Sequence, residues 1–131
     1  LLTAALNKDF YKMKKLFLAI FCALGLFGLL ACSNSTDSEL SKDNIYFFYQ
    51  TTCPHCHDAA RYIKANYPTL KMTALDIKLP GNMKLFEKAI KQYNIGGSAG
   101  TPLFLMGDKY IMGWSNDKQN EFDLYVKPYL K

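Results

Sequence analysis

Histidine is scarce in this 131-residue chain: only His55 and His57 occur. No second Cys/His pair follows residue 57, so a tetrahedral zinc site has Cys53, Cys56 and one His to draw on, three ligands at most. Internal repeats are absent, and so is strong charge of one sign. Of the formal +5, three charges lie in residues 1–31. The remainder is too near neutral to point to nucleic acid as a partner. Only one long uncharged apolar run occurs, residues 16–31. With 50% hydrophobic and 15% aromatic residues, the rest has the composition of one ordinary folded domain rather than a disordered or low-complexity chain.

Met13-Lys14-Lys15, the apolar stretch from Leu16 to Leu30 and then Ala31-Cys32 have the layout of a secretory signal. The apolar core is short for the roughly 20 residues a spanning helix needs. Leu29-Leu30-Ala31-Cys32 also resembles the lipobox of bacterial lipoproteins, which implies cleavage before Cys32 and lipid on its sulfur. An uncleaved anchor helix and an ordinary secretory signal are the alternatives. Residues 1–12 read as upstream sequence, 13–31 as the signal and 32–43 as a polar, turn-rich tether. Residues 44–131 read as the domain. The expected location is the bacterial cell envelope, on the periplasmic side, with Ser33 resembling an outer-membrane sorting pattern.

Within the domain, Ile45–Gln50 reads as a buried strand. A helix follows, with Cys53 near its cap and Pro54 at its first position. Its inward face is Cys56, Ala59, Ala60, Ile63 and Tyr67. Residues 71–77 read as a second strand. Pro80-Gly81-Asn82 reads as a turn, with Asn82 capping a second helix that faces Phe86, Ala89, Ile90 and Tyr93 inward. Leu103–Met106 and Lys109–Met112 form a hairpin about Gly107-Asp108. Ser115 or Asn116 caps a last helix that buries Phe122, Tyr125, Val126 and Tyr129. The order is βαβαββα.

Cys53-Pro54-His55-Cys56-His57 admits several chemistries. As a redox dithiol, its first thiol sits at a helix N-terminus, where free N–H groups and the helix dipole favour a thiolate. The second sits one turn in, placed to resolve a mixed disulfide, and His55 adds a charge and a donor. The same residues satisfy C-x-x-C-H, the pattern of covalent haem attachment, with Met106 or Met112 as a distal sulfur. Strands on both sides of the motif count against that reading. Zinc is short of ligands, and a structural disulfide across so short a loop gains little.

Gly100-Thr101-Pro102, opening a strand, adds a second signal. Together with C-x-x-C and the element order it resembles the cis-proline loop of the thioredoxin superfamily, over residues 45–131. The resemblance implies an α/β, thioredoxin-like fold of glutaredoxin type: a four-stranded mixed sheet flanked by three helices. Cys-Pro-His-Cys is similar to the DsbA-type periplasmic thiol oxidases. The 45 residues between Cys56 and Pro102 instead resemble glutaredoxin spacing, with no room for a large helical insertion.

Residues 107–117 are similar to the glutaredoxin segment that holds the glutathione carboxylate, which implies substrate contacts from Trp114, Ser115 and Asn116. Gln50 stands where many glutaredoxins keep Lys, and Phe47 where thioredoxins keep a buried acid. The implied activity is thiol–disulfide exchange: Cys53 attacks, Cys56 resolves, His55 tunes, and Pro54, Thr101 and Pro102 dock substrate. Protein thiols or glutathione are the implied partners, glutathione serving only as co-substrate, with no metal and a monomeric chain. His57 reads as an exposed helical residue, Tyr46 and Tyr49 as core. Trp114 either caps the core or lines the substrate groove. A non-catalytic binding module of the same fold is the non-enzyme alternative.

Overall fold

The computed structural model describes residues 40–131; the signal, Cys32 and most of the tether lie outside the described residues. The elements are β1 (Ile45–Tyr49), α1 (Pro54–Asn66), β2 (Thr73–Asp76), α2 (Pro80–Gln92), β3 (Leu103–Met106), β4 (Lys109–Met112) and α3 (Asn116–Tyr125). A 3₁₀ turn, Lys127–Tyr129, closes the chain. The sheet order is β2-β1-β3-β4, with β1 parallel to β2 and antiparallel to β3, and β3 antiparallel to β4. This mixed sheet with three helices is the α/β, thioredoxin/glutaredoxin-like fold. Among the described residues no helix is long and apolar enough to cross a membrane.

Strand alternation decides which helix each residue meets. Ile45, Phe47, Phe104 and Met106 join Ala59 and Ile63 of α1 and Phe122 of α3. Phe48, Leu103 and Leu105 join Phe86 and Ala89 of α2 on the other face. Phe47 and Phe104, paired across the strands, stack with centroids 4.6 Å apart. Both central strands are therefore covered twice, and the C-terminal end of β1 delivers the chain straight into α1.

Several local expectations differ from the structure. Pro80 opens α2 itself, preceded by Leu79 with no side-chain cap. Asn82 lies inside the first turn, its Nδ2 donating to the Asp76 carbonyl at 3.0 Å. A proline missing its N–H starts a helix without a cap, so Asn82 was not needed for that role. β2 is shorter than residues 71–77. Ala60 is exposed, and Tyr67 falls just past α1. Tyr129 belongs to the 3₁₀ turn rather than to α3.

Residues 40–43, read as tether, pack on the domain. Leu40 is buried in the α2-side cluster, the Ser41 N–H donates to Tyr46 Oη, and Tyr129 Oη donates to the Lys42 carbonyl. Tyr46 and Tyr49 are half-buried against the core.

Candidate functional site

Cys53 is the N-cap of α1, and Pro54 takes the first helical position. The Cys53 backbone is extended (φ −91°, ψ 111°), so its side chain folds over the open helix end. Sγ there accepts from the Cys56 N–H at 3.2 Å, the role an Asp or Ser oxygen fills at ordinary caps. A turn bond from the Cys53 N–H to the Gln50 carbonyl (3.1 Å) fixes the approach from β1. The cap geometry leaves Cys53 half-buried, while Cys56, one turn in, is only 3% exposed among the apolar residues of the α1 side.

The cis-proline loop closes on the same sulfur. The Thr101–Pro102 bond is cis, and Pro102 is buried. The Pro102 carbonyl accepts from the Gly113 N–H at 2.8 Å, which ties the loop to the end of β4. Gly113 sits at φ +84°, a conformation that suits glycine. The Cys53 thiol donates to the Thr101 carbonyl at 3.6 Å. Gln50 Nε2 donates to Thr101 Oγ1 at 3.5 Å. Thr101 is thus held at both ends, by the dithiol loop and by Gln50, the residue just past β1.

The two thiols are driven apart in acidity. Burial is the largest influence on Cys53 and opposes ionisation. Hydrogen bonds from the Cys56 side chain and backbone, the Thr101 side chain and the His55 backbone together outweigh it, and the thiol lies below its ordinary 9.0. Burial pushes the Cys56 thiol up to about 11, with the neighbouring Cys53 adding to the shift. Both cysteines are free thiols. Such an arrangement holds one reactive sulfur and keeps a second, protonated, behind it.

The structure places the other sequence-derived candidates on α1 and at the start of α3. The hydrogen bond from His55 to Cys53 comes from the main chain, and its ring is exposed. His57 is exposed on α1, but its Nε2–H donates to the Thr51 carbonyl at 2.7 Å, bracing the loop that leads into Cys53. Ser115 caps α3, its Oγ accepting from the Lys118 N–H at 3.3 Å, with Asn116 next in line.

Trp114 is packed into the core against Tyr62, Phe104 and Phe122, so it caps the core rather than lining an open groove. Its Nε1 is buried without a hydrogen-bond partner. Sequence reasoning missed the side-chain role of Gln50, and its position three residues before Cys53 was the available signal. A groove of about 710 Å³ lies elsewhere, ahead of β1 and β2, lined by Lys42, Leu70, Lys71, Tyr129 and Lys131 among others. None of the candidate residues lines it.

No protein-family model matches the chain, and no curated protein matches it. Among solved structures, a glutaredoxin from Archaeoglobus fulgidus is similar at 27% identity, covering 60% of this chain and 83% of that one, with a TM-score of 0.47.

Proposed function

We propose that this protein is a thiol–disulfide oxidoreductase acting through Cys53 and Cys56 on protein or glutathione disulfides. The observation that carries the reading is the asymmetry of the two thiols: Cys53 acidified at the cap, Cys56 buried and raised to about 11, with the cis-proline loop against the first. The Cys53 thiolate attacks a substrate disulfide, forming a mixed disulfide and releasing one substrate thiolate, which takes a proton from solvent. Cys56 then attacks Cys53 Sγ. The Cys53–Cys56 disulfide forms, the second substrate sulfur leaves, and the Cys56 proton ends on it. The substrate gains two electrons and the dithiol loses two; run backwards, the same steps oxidise a substrate dithiol. Pro54 and Thr101 form the docking rim, with the buried Pro102 anchoring the loop behind Thr101 through its carbonyl bond to the Gly113 N–H, and His55 adds its ring at the helix N-terminus.

The proposed setting is the cell envelope, with a lipid on Cys32 holding the domain to a membrane. The test is disulfide exchange with a model protein disulfide and with a glutathione mixed disulfide. Wild type should turn over both or the first alone, Cys53→Ser should be inactive, and Cys56→Ser should accumulate mixed disulfides. Equilibration with glutathione gives the direction: about −120 mV marks an oxidase, roughly −200 to −270 mV a reductase. A wild-type protein that exchanges with neither disulfide overturns the reading.

A further inference from the structure

Cys53 lies at the end of the sheet where β1 and β2, running parallel, both finish. Tyr49 and Asp76 are partners in that register, and the Ile77 N–H donates to the Tyr49 carbonyl at 3.0 Å. The chain then turns into α2, and hydrogen bonds to Asp76 fix the turn. The Lys78 N–H donates to Asp76 Oδ1, while the Leu79 N–H and Asn82 Nδ2 both donate to the Asp76 carbonyl. This turn stands one strand over from the loop that holds Cys53.

Two large apolar residues are left in the open there: Leu79 is 58% exposed and Met83 36%. The Met83 N–H donates to the Leu79 carbonyl at 2.9 Å, so the two positions neighbour each other. The other exposed large apolar residues lie singly: Tyr110 on β4, Leu124 on α3 and Leu130 past the 3₁₀ turn. Lys78 and Lys84 flank the pair in the chain, and both are exposed. Neither is in an ion pair among the described residues, and the first turn of α2 holds no acid. Asp76 is half-buried in the turn, and Glu87 lies further along α2 with Lys88 and Lys91 after it. On the other helix, Asp58 is paired with Arg61.

We propose that Leu79 and Met83, with Lys78 and Lys84 around them, are a docking surface for polypeptide substrates. The surface selects disulfides whose flanking residues include an apolar side chain and carboxylates. This inference rests on the exchange reading and deepens it. A protein disulfide attacked by Cys53 lies across this end of the sheet, and its chain runs on from the reacting sulfur at about 3.3–3.6 Å per residue. Within a few residues it covers what borders the site, and on the β2 flank that is the Leu79–Met83 pair. Leu79 offers a contact fixed by the turn, and the flexible thioether of Met83 adapts to side chains of different shape. The lysines favour acidic neighbours, repel basic ones and speed encounter at low salt.

The test compares how fast the reduced protein releases thionitrobenzoate from its mixed disulfides with three thiols. One is mercaptoethanol, and one is a short peptide with leucine and glutamate on both sides of its cysteine. The third is the same peptide with serine and lysine in their place. Cys53 attacks the peptide or mercaptoethanol sulfur, the old S–S bond breaks, and thionitrobenzoate leaves as its coloured thiolate. The leucine–glutamate peptide should react about five- to tenfold faster than the serine–lysine one, the scale of one partly buried apolar side chain and an exposed ion pair. Leu79→Ser with Met83→Gln should cut that preference about threefold and leave the mercaptoethanol rate unchanged. Serine is a favoured N-cap, so the start of α2 tolerates it. Lys78→Glu with Lys84→Glu should remove the preference for glutamate over lysine.

Equal peptide rates in the wild type, or a preference that survives both double substitutions, would overturn the proposal. So would a cross-linked dimer that Leu79→Ser with Met83→Gln abolishes, because the pair would then belong to a second copy. No release from the mercaptoethanol disulfide would instead overturn the exchange reading itself, which keeps the two failures apart.

Discussion

At neutral pH a small alkylating agent should modify Cys53 well before Cys56, and the ratio follows from the two acidities. Cys56, at about 11, is ionised to roughly one part in 10⁴ at pH 7. Cys53 lies below 9.0, so more than about one part in 100 is thiolate. Ionisation alone therefore favours Cys53 by at least about 100-fold. The more basic thiolate is the better nucleophile, and a Brønsted slope of about 0.4–0.5 returns roughly a factor of 6–10 across two units. The remaining preference is at least about 10-fold. Access then adds to it, because Cys56 is 3% exposed and packed with Ala59 and Ile63. Iodoacetamide labelling of the reduced protein, quenched over time and mapped by mass spectrometry, should show Cys53 labelled at least tenfold faster. Equal rates, or a faster Cys56, would refute the assignment of attacking and resolving sulfurs.

Removing the His55 ring by His55→Ala keeps the backbone bond to Cys53 and deletes only the ring's charge and dipole, so the couple should become more reducing by tens of millivolts, about 30 mV per 1.4 kcal/mol. Glutathione equilibration of both variants measures it. Stability of the reduced protein should fall as pH rises from about 9 to about 11: unfolded Cys56 gives up its proton first, while the folded site holds it, so the folded state is favoured below that window. Urea unfolding across that range should show a smaller loss in Cys56→Ala. Asp123→Ala removes the acceptor shared by Tyr62 Oη (2.8 Å) and Tyr67 Oη (2.7 Å), which join α1 and its exit to α3. It should cost about 1–3 kcal/mol by urea unfolding, and retention of full stability would mean that the clamp is replaced by water. Cys32→Ala should leave the protein unlipidated; palmitate labelling equal to wild type would exclude Cys32 as the lipid site.

What the sequence discloses here is what depends on neighbours. The aromatic and β-branched run of β1, the proline that starts α1 and the Gly107-Asp108 hairpin each rest on a few adjacent residues, and the structure contains all three. Gly107 lies at φ +62°, the backbone such a tight turn asks of glycine. Asn82 was misplaced because two local signals competed, a proline able to open a helix and an asparagine able to cap one, and spacing does not rank them. Other features depend on partners far along the chain. Asp123 takes hydrogen bonds from tyrosines 61 and 56 residues away, and Gln50 meets Thr101 across 51 residues. Leu40 looks like one apolar residue in a polar tether until the α2-side core receives it. Only a sheet order that sets β1 beside β3 brings Gln50 and Thr101 together.

Depth separates the two chemistries that Cys53-Pro54-His55-Cys56-His57 satisfies on paper. Haem attachment through C-x-x-C-H needs both sulfurs bonded to the porphyrin and the following imidazole turned to the iron. In this fold Cys56 is part of the core that holds Ile63, Trp114 and Phe122, and the His57 Nε2–H is committed to the Thr51 carbonyl. A porphyrin edge would have to pull the first turn of α1 out of that packing and break the brace on the loop. Dithiol exchange asks the opposite: one sulfur at the cap within reach of a substrate, and one behind it that stays protonated until a mixed disulfide forms. The residue that caps α1 and the residue buried at its third position meet those two demands with no change in the fold.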